Sequence, residues 1–514
     1  MRTLLLYLAA LSLSQAVFPQ SNFTRANHPG PHPVGVRVVE QYDFSRGYRG
    51  TFDANTGKPL IGERARPIQT VIWYPTGSDT GPSMTAGDYL KLGGTTDNFD
   101  AAPLLRSRLE SDYVGLQTAD LTKTRAQTEL AAPMAAHLDA PPLSGKYPVV
   151  IYAPSFGAPA SENADLCEYL ASFGYVVIAS PSIGQTPDGM TTDLEGAEAQ
   201  MSDIEFLIGY ARTLPQADND HLAVMGYSWG GLANVMAAAK DRRIDAIVAL
   251  DGSVRYWPGI VEQAHFVSPE RVTAPLLYIA AAPKELEILP AGMNRDTSFL
   301  NKMVYADVYR VTIAPYVHGN FSVLLGQRFL ADNGYGEYSK DELSSANGWV
   351  ETYVLRFLNA QLKNDAAARS FLDMSAPQVG APPHLFTLYK RKATAPPPTR
   401  EGFAAELNRQ GFAKASGIYH QMQKQTPSFV LSDDDLNAWG FTLLGNGDVP
   451  ASLAILRLNT ELHAESWNAW DSLGEVYAKN GDRSLAIEAY RKSLSLNPGN
   501  SNAVQRLAVL GAKP

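Results

Sequence analysis

The sequence predicts an α/β fold, in which helices cover both faces of a mostly parallel sheet, followed by an all-α repeat domain. In residues 34–365, short runs of Val, Ile and Ala alternate with amphipathic segments, which is typical of βαβ units. Beyond residue 400 the β-type runs stop, and a helical pattern recurs at a constant interval. With 514 residues and 45% hydrophobic content, the chain can build at least two globular domains.

The first region contains eight runs that we predict to be strands. Several are continuous apolar stretches without polar alternation, as expected for strands covered on both faces. The runs span residues 34–39, 70–74, 149–153, 175–179, 222–226, 244–250, 276–280 and 305–313. The main helical patterns between them span residues 164–173, 195–213 and 232–239. Residues 78–143 interrupt this order, so we expect an insertion there, folded as a helical flap near the functional site.

Residues 366–400 are predicted to connect the two regions. The segment ends in Pro396-Pro397-Pro398, and consecutive prolines form a stiff, extended spacer. The helical region is then expected to span residues 401–514.

This helical region repeats with a period of 34 residues. When residues 436–469 are placed over 470–503, an Asn-Gly-Asp triplet in the first copy meets another in the second. The second copy resembles the tetratricopeptide repeat in its period and in its signature positions, which are Trp470, Gly474, Tyr477, Ala486, Tyr490 and Pro498. A weaker copy is expected around residues 413–419. The repeats either bind a peptide or protein partner or extend the first domain structurally, because short arrays need neighbours to cover their faces.

The N-terminus has the pattern of a secretory signal peptide. Arg2 supplies a positive charge, residues 4–13 are apolar, and Ser14-Gln15-Ala16 offers small residues at a cleavage site. The apolar stretch is shorter than the roughly 20 residues that a membrane-spanning helix needs, and no later segment has a transmembrane pattern. We therefore expect residues 1–16 to be cleaved and the protein to be secreted or periplasmic.

Charge and cysteine content exclude several classes of partner and site. The net charge of −9, without a basic run, argues against nucleic-acid binding. Cys167 is the single cysteine of the chain, so an intramolecular disulfide is impossible. It lies on the apolar face of a predicted helix, where a buried, unreactive side chain is expected. No metal and no organic cofactor is expected.

The strongest functional signal is Gly226-Tyr227-Ser228-Trp229-Gly230-Gly231, between a predicted strand and an Ala-rich predicted helix. A serine hydroxyl is a weak nucleophile unless a base accepts its proton and its oxygen stands clear of the backbone. A sharp strand-to-helix turn exposes the oxygen, and glycines leave room for the crowded turn. The motif resembles the nucleophile elbow of the α/β-hydrolase fold, so Ser228 is the expected nucleophile.

The general base is expected to be His318. In α/β-hydrolases the chain order is nucleophile, acid and then histidine, and within the domain only His265 and His318 follow Ser228. His318 comes directly after the last predicted strand, so its loop should lie at the same edge of the sheet as Ser228. His265 is the alternative.

The acid is expected to be Asp251, which ends the predicted strand after the nucleophile helix. The next predicted strand leads into a segment that contains no Asp, but its Glu285 and Glu287 are alternatives. The carboxylate must be buried and close to the imidazole in order to fix its tautomer. An Asp at a strand end meets this requirement better than a Glu beyond a Pro-Lys turn.

Two backbone N–H groups are expected to form an oxyanion hole. One belongs to Trp229, at the start of a helix, where N–H groups favour negative charge. The other belongs to Phe156, in the loop 154–157 after the third strand of the sheet. The side chains of Trp229, Phe156, Trp257 and Tyr316 are expected to line the acyl side of the pocket, which indicates a small or flat acyl group.

Several of these segments together resemble one branch of the α/β-hydrolases. They are residues 35–38, residues 70–75, the interval between Ser228 and Asp251, and the loop 317–321. The resemblance is to plasma-type platelet-activating-factor acetylhydrolases and to bacterial predicted dienelactone hydrolases, and it covers residues 34–365. It implies an acid on the strand after the nucleophile helix. The chain differs from true dienelactone hydrolases, which have a Cys nucleophile, and its loop 154–158 differs from the His-Gly-x-Gly-Ala of the branch.

Taken together, the motifs predict a serine esterase that acts on a small-molecule carboxylic ester through a Ser-His-Asp triad and an acyl-enzyme. Two alternatives stay open. An amidase or peptidase would use the same triad, and a repeat-mediated binding protein would use the hydrolase domain only as a scaffold.

Overall fold

The computed structural model describes residues 21, 23–53, 55–282, 298–329, 337–382, 384–394 and 398–514. The expected signal peptide and the alternative acids Glu285 and Glu287 lie outside the described residues. The chain divides into two compact units, residues 1–394 and 395–514.

An eleven-stranded sheet organises the described part of the first unit, in the order β11-β10-β9-β8-β7-β5-β6-β2-β1-β4-β3. Its strands are β1 Val34–Gly47, β2 Ala65–Pro75, β3 Ser83–Thr85, β4 Pro133–Leu138, β5 Tyr147–Ala153, β6 Val176–Ala179, β7 Ala217–Tyr227, β8 Ala246–Leu250, β9 Leu276–Ala281, β10 Val308–Ile313 and β11 Phe386–Arg391. The helices are α1 Ala86–Lys91, α2 Pro103–Gln117, α3 Lys123–Leu130, α4 Ala164–Ser172, α5 Leu194–Ala211, α6 Trp229–Lys240, α7 Pro258–Gln263, α8 Ser298–Lys302, α9 Lys340–Leu362 and α10 Ala366–Asp373.

The centre of the sheet is parallel from β6 through β5, β7, β8 and β9 to β10. Strands β1 and β2 pair antiparallel, as do β2 and β6. Each of the eight predicted runs forms a strand, and the prediction of a doubly covered sheet is confirmed. Because the central strands run parallel, the loops that follow β7, β8 and β10 emerge at one edge of the sheet.

Side chains of successive strand residues enter two separate cores, one on each face of the sheet. In β7, Ala223 and Met225 pack with α4 and α9, whereas Leu222 and Val224 pack with α5 and α6. Helix α4 is buried along its whole length and contains Cys167, whose thiol is unpaired and buried as expected. Burial of both faces explains why these strands are continuously apolar in sequence.

The insertion between β2 and β5 is helical, as expected, but it also extends the sheet. Between β3 and β4 it contains α1, α2 and α3. Strand β4 pairs in parallel with β1 over three residues, and β3 pairs with β4. The two strands were not predicted because β3 has only three residues and β4 begins with Pro133.

The prediction that residues 366–400 form a connector is wrong for the first part of this range. Helix α10 occupies its start, and β11 pairs antiparallel with β10 over six residues. Phe386 is buried, while Thr387 and Tyr389 are exposed, as in a half-covered edge strand. This short alternation is a weaker sequence signal than the proline-rich stretch that follows it.

The described part of the second unit is all-helical. Its helices are α11 Arg400–Gln410, α12 Ala415–Gln425, α13 Asp433–Gly445, α14 Val449–Leu462, α15 Trp467–Asn480, α16 Arg483–Leu496 and α17 Ser501–Val509. The starts of α13 and α15, and those of α14 and α16, keep the predicted 34-residue spacing. A Cβ on Gly440 would lie 2.6 Å from Leu456, and one on Gly474 would lie 3.0 Å from Tyr490. The repeated glycine therefore allows close packing of paired helices.

No helix in the described part of the chain has both the length and the apolar character required to cross a membrane.

Candidate active site

The loops at the ends of β7, β8 and β10 bring three predicted residues together. Ser228 directly follows β7, Asp251 directly follows β8, and His318 begins a short 3₁₀ turn five residues after β10. The Nε2 atom of His318 lies 2.8 Å from Ser228 Oγ, and its Nδ1 atom lies 2.6 Å from Asp251 Oδ2. A continuous hydrogen-bonded chain therefore links the hydroxyl to the carboxylate.

The backbone at Ser228 is strained in the way that a nucleophile elbow requires. Its φ of 53° and ψ of −115° lie in a region that side chains disfavour, at a cost of ~1–3 kcal/mol. A Cβ on Gly226 would lie 2.5 Å from the Gly230 carbonyl carbon, and one on Gly230 would lie 2.0 Å from the Ala153 carbonyl oxygen. Because glycine has no Cβ, the turn can pack closely against the neighbouring strand β5. The Ser228 N–H donates to the Leu250 carbonyl, which anchors the turn to β8.

Four donors surround the fully buried carboxylate of Asp251. Its Oδ2 accepts from the Tyr256 hydroxyl at 3.0 Å, besides facing His318. Its Oδ1 accepts from the Ala281 N–H at 3.3 Å and lies 3.2 Å from Arg255 Nη2. These contacts hold the carboxylate in one orientation.

The imidazole of His318 is held between aromatic rings. Its centroid lies 5.2 Å from the Tyr227 ring and 5.6 Å from the Tyr256 ring. The Tyr227 hydroxyl also donates to the His318 carbonyl at 2.8 Å. The side chain is still 40% exposed, so the ring is fixed in position and open to a ligand.

The alternative base does not join this chain. His265 is exposed just beyond α7, and its backbone N–H bonds to the Gln263 carbonyl. Sequence reasoning missed Arg255 and Tyr256, which follow the acid by four and five residues. Their only sequence signal is this proximity to Asp251.

The proposed oxyanion donors lie on two segments that touch each other. The Trp229 N–H is the first of α6 and has no acceptor within the helix. Gly230 packs against the carbonyls of Ala153 and Pro154, at the start of the loop that contains Phe156. The Phe156 ring lies edge-on to the Trp229 ring with centroids 5.6 Å apart. The two segments therefore meet beside Ser228.

Three of the four expected pocket aromatics are neighbours. The Trp229 ring is buried between Phe156, which is 42% exposed, and the half-buried Trp257. The expectation that Tyr316 lines the pocket is wrong, because its side chain is buried in the core. Its hydroxyl donates to Asn347 Oδ1 and accepts from Gln327 Nε2.

A buried glutamate near the oxyanion loop was also missed by sequence reasoning. Glu162 is 2% exposed, and its carboxylate accepts hydrogen bonds from both the backbone N–H and the hydroxyl of Ser155. Burial raises the pKa of Glu162 to about 7, although the hydrogen bonds from Ser155 and the charge of His318 oppose this shift.

Among the described residues, no three His, Cys, Asp or Glu side chains are grouped as metal ligands would be.

Comparisons with known proteins match separate parts of the chain. Residues 134–286 match the dienelactone hydrolase family, and residues 467–500 match the tetratricopeptide repeat. A protein of Synechocystis sp. named "Putative carboxymethylenebutenolidase" is 30% identical over 146 residues, which are 25% of this chain and 58% of that protein. A peroxisomal targeting signal receptor of Candida albicans is 32% identical over 122 residues, which are 21% of this chain and 20% of that protein.

The chain thus spans less than two thirds of either curated relative. Among solved structures, a ferulic acid esterase from Streptomyces cinnamoneus is similar with a TM-score of 0.47 at 18% identity, over 73% of this chain and 99% of that one. The family matches and the topology agree: the chain contains a dienelactone-hydrolase-like α/β-hydrolase domain and a C-terminal tetratricopeptide repeat.

Proposed function

We propose that the first unit is a serine esterase that hydrolyses carboxylic esters through Ser228, His318 and Asp251. The observation that supports this most directly is the hydrogen-bonded chain from the Ser228 hydroxyl to the buried Asp251 carboxylate. The strained serine, and the Trp229 N–H that has no acceptor within its helix, fit nucleophilic attack on a carbonyl.

In the proposed acylation step, His318 Nε2 accepts the proton of the Ser228 hydroxyl while Oγ attacks the ester carbonyl carbon. The resulting oxyanion accepts hydrogen bonds from the backbone N–H groups of Phe156 and Trp229. The imidazolium, stabilised by Asp251, then gives its proton to the departing alkoxide. The products are an alcohol and an acyl-enzyme on Ser228.

In deacylation, a water molecule takes the place of the alcohol. His318 Nε2 accepts a proton from the water as its oxygen attacks the acyl carbon, and the same two N–H groups stabilise the second oxyanion. Collapse of this intermediate returns the proton to Ser228 Oγ and releases the carboxylic acid. No cofactor enters either step.

An ester is favoured over an amide because the matched family is named for a dienelactone hydrolase, and a lactone is a cyclic ester. The finer likeness to platelet-activating-factor acetylhydrolases stays a prediction from the segments around Ser228 and His318. Because Phe156, Trp229 and Trp257 cluster beside the nucleophile, we propose a small or flat acyl group.

The test compares the wild type with Ser228→Ala, using a fluorophosphonate probe and paired chromogenic esters and anilides. We expect the wild type to be labelled and to cleave esters, and the variant to do neither. A wild type that cleaves anilides but not esters would be an amidase, and an unlabelled wild type would refute the serine mechanism.

We further propose that residues 1–16 direct the protein to a secreted or periplasmic location and are removed. Mass spectrometry of protein recovered from a secreting host should find Val17 as the first residue. An intact Met1 in the exported protein would contradict the cleavage.

We propose a protein or peptide partner for the repeats, because tetratricopeptide repeats commonly present a binding surface. Cross-linking of the Ser228→Ala chain in its native host should recover a partner that a chain ending at Thr394 does not. Equal recovery by both chains would favour a purely structural role.

A further inference from the structure

Glu162 stands between the oxyanion loop and the start of α4, and its side chain holds that loop. Its Oε2 accepts from the Ser155 N–H at 2.8 Å, and its Oε1 accepts from the Ser155 hydroxyl at 2.5 Å. The Tyr152 hydroxyl donates to Oε2 at 3.3 Å. Ser155 directly precedes Phe156, so the carboxylate fixes the backbone from which the Phe156 N–H projects.

The backbone of the same segment holds the loop that contains the base. The Glu162 carbonyl accepts from the Leu324 N–H at 3.3 Å and from the Ser322 hydroxyl at 3.4 Å. The side chain of the next residue, Asn163, accepts from the Val323 N–H at 2.9 Å. Residues 162 and 163 therefore connect the oxyanion loop with the segment that follows His318.

The carboxylate of Glu162 lacks the cationic partner that the buried acids Asp165 and Glu351 have. Asp165 is paired with Arg328, and Glu351 with Arg25. Within the described ranges, no Lys or Arg nitrogen lies within ion-pair distance of Glu162. The hydrogen bonds from Ser155 and Tyr152 are therefore what stabilise this buried carboxyl group.

The titratable groups that face Glu162 come from four elements. They are Tyr113 of α2, Tyr152 of β5, Tyr227 of β7, and His318. Only His318 can bring a positive charge, and it does so when it takes the proton of the nucleophile. The three tyrosines stay neutral at neutral pH because burial raises the pKa of each.

We infer that Glu162 is a positioning residue, whose carboxyl group holds Ser155 and thereby sets the Phe156 N–H in the oxyanion hole. This inference rests on the proposed function. One oxygen of the carboxyl group contacts the Ser155 N–H and the other contacts the Ser155 hydroxyl, so loss of the side chain removes both contacts. A glutamine can keep both, because its oxygen accepts from the N–H and its NH₂ group donates to the hydroxyl oxygen.

The test measures the rate of fluorophosphonate labelling and the kcat/KM for a p-nitrophenyl ester at pH 8. Glu162→Ala should lower both rates by roughly 10- to 100-fold, which is less than the 10²- to 10³-fold cost of losing an oxyanion donor outright. Glu162→Gln, which can keep both contacts to Ser155, should restore most of each rate.

Glu168→Ala is the matched control. Glu168 is equally buried, but it accepts from Tyr89 and from the N–H groups of Ala135 and Ala136. A folded Glu168→Ala protein should keep the wild-type rates. Ser155→Ala gives a second measurement that does not depend on the folding of Glu162→Ala. It removes the hydroxyl contact and keeps the N–H contact, so its rates should fall by less than those of Glu162→Ala.

A folded Glu162→Ala protein with wild-type rates would overturn the positioning role and leave the proposed esterase intact. A Glu162→Gln protein as slow as Glu162→Ala would also overturn it. A wild type that is labelled but cleaves no ester would refute the esterase alone, because the labelling rates still report on Glu162. A wild type that neither labels nor cleaves would overturn both.

Discussion

Replacement of Asp251 by asparagine should remove almost all activity, because the surrounding donors dictate how the new amide is oriented. The Oδ1 position faces two donors, the Ala281 N–H at 3.3 Å and Arg255 Nη2 at 3.2 Å. The amide oxygen must take this position, since an NH₂ group there would meet both donors. The NH₂ group then occupies the Oδ2 position and faces His318 Nδ1 across 2.6 Å.

This orientation selects the wrong tautomer of the base. With a donor opposite it, His318 Nδ1 must accept, so the proton of the neutral ring moves to Nε2. The Nε2–H then points at Ser228 Oγ, 2.8 Å away, and cannot accept its proton. The same tautomer error in a serine protease lowers kcat by about 10⁴-fold, which corresponds to roughly 5.5 kcal/mol at ~1.4 kcal/mol per factor of ten. We expect a loss of that order for Asp251→Asn.

The assay is kcat for a p-nitrophenyl ester at pH 8, together with the midpoint of thermal unfolding, which checks that the variant is folded. A folded Asp251→Asn protein that keeps more than about a tenth of the wild-type kcat would refute the tautomer argument. The acid would then have to be sought elsewhere, with Glu285 and Glu287 as the next replacements.

Three further predictions concern the contacts around the site and the buried acids. Tyr256→Phe removes one neutral donor from Asp251, so kcat should fall only about 5- to 150-fold, as expected for ~1–3 kcal/mol, without a change in unfolding midpoint beyond a few degrees; a loss as large as that of Asp251→Asn would contradict this. Gly230→Ala forces a Cβ against the Ala153 carbonyl, so urea unfolding should show a loss of ~1–3 kcal/mol or more, whereas Gly209→Ala, which meets nothing within 4 Å, should not be destabilised. Burial raises the pKa of Glu168 from 4.5 to about 7, so the folded state binds the proton more tightly than the unfolded state, and the free energy of unfolding should decrease as pH rises from about 4.5 to 7. Glu168→Gln should make this decrease in the free energy of unfolding smaller. An unchanged pH dependence would show that Glu168 does not titrate there.

The sequence predicted the centre of the sheet because burial on both faces leaves a strong signal. Strand β8 is buried at every position and reads as an unbroken apolar run. Strands β3, β4 and β11 lie at the sheet margins, where short pairing and exposed positions weaken the pattern. Such strands depend on their neighbours rather than on their own composition.

The candidate site likewise contains residues that the sequence predicts and residues that it does not. Ser228 was predictable because the elbow imposes glycines at fixed positions, and His318 because chain order left few candidates. Arg255, Tyr256 and Glu162 were not predictable, since they act through contacts that only the folded chain creates. Tyr316 has the position in sequence of a pocket residue, but the turn before His318 directs its side chain into the core.

The antiparallel strand β11 has a practical consequence for dividing the protein. A chain that ended at residue 365 would leave β10 with a row of unpaired backbone groups, and such an open margin invites edge-to-edge aggregation. Strand β11 covers that margin, and its exposed Lys390 carries a charge of the kind that discourages the addition of another strand. The hydrolase unit should therefore stay monodisperse when the repeats are removed after Thr394, and should precipitate when the cut is made before β11.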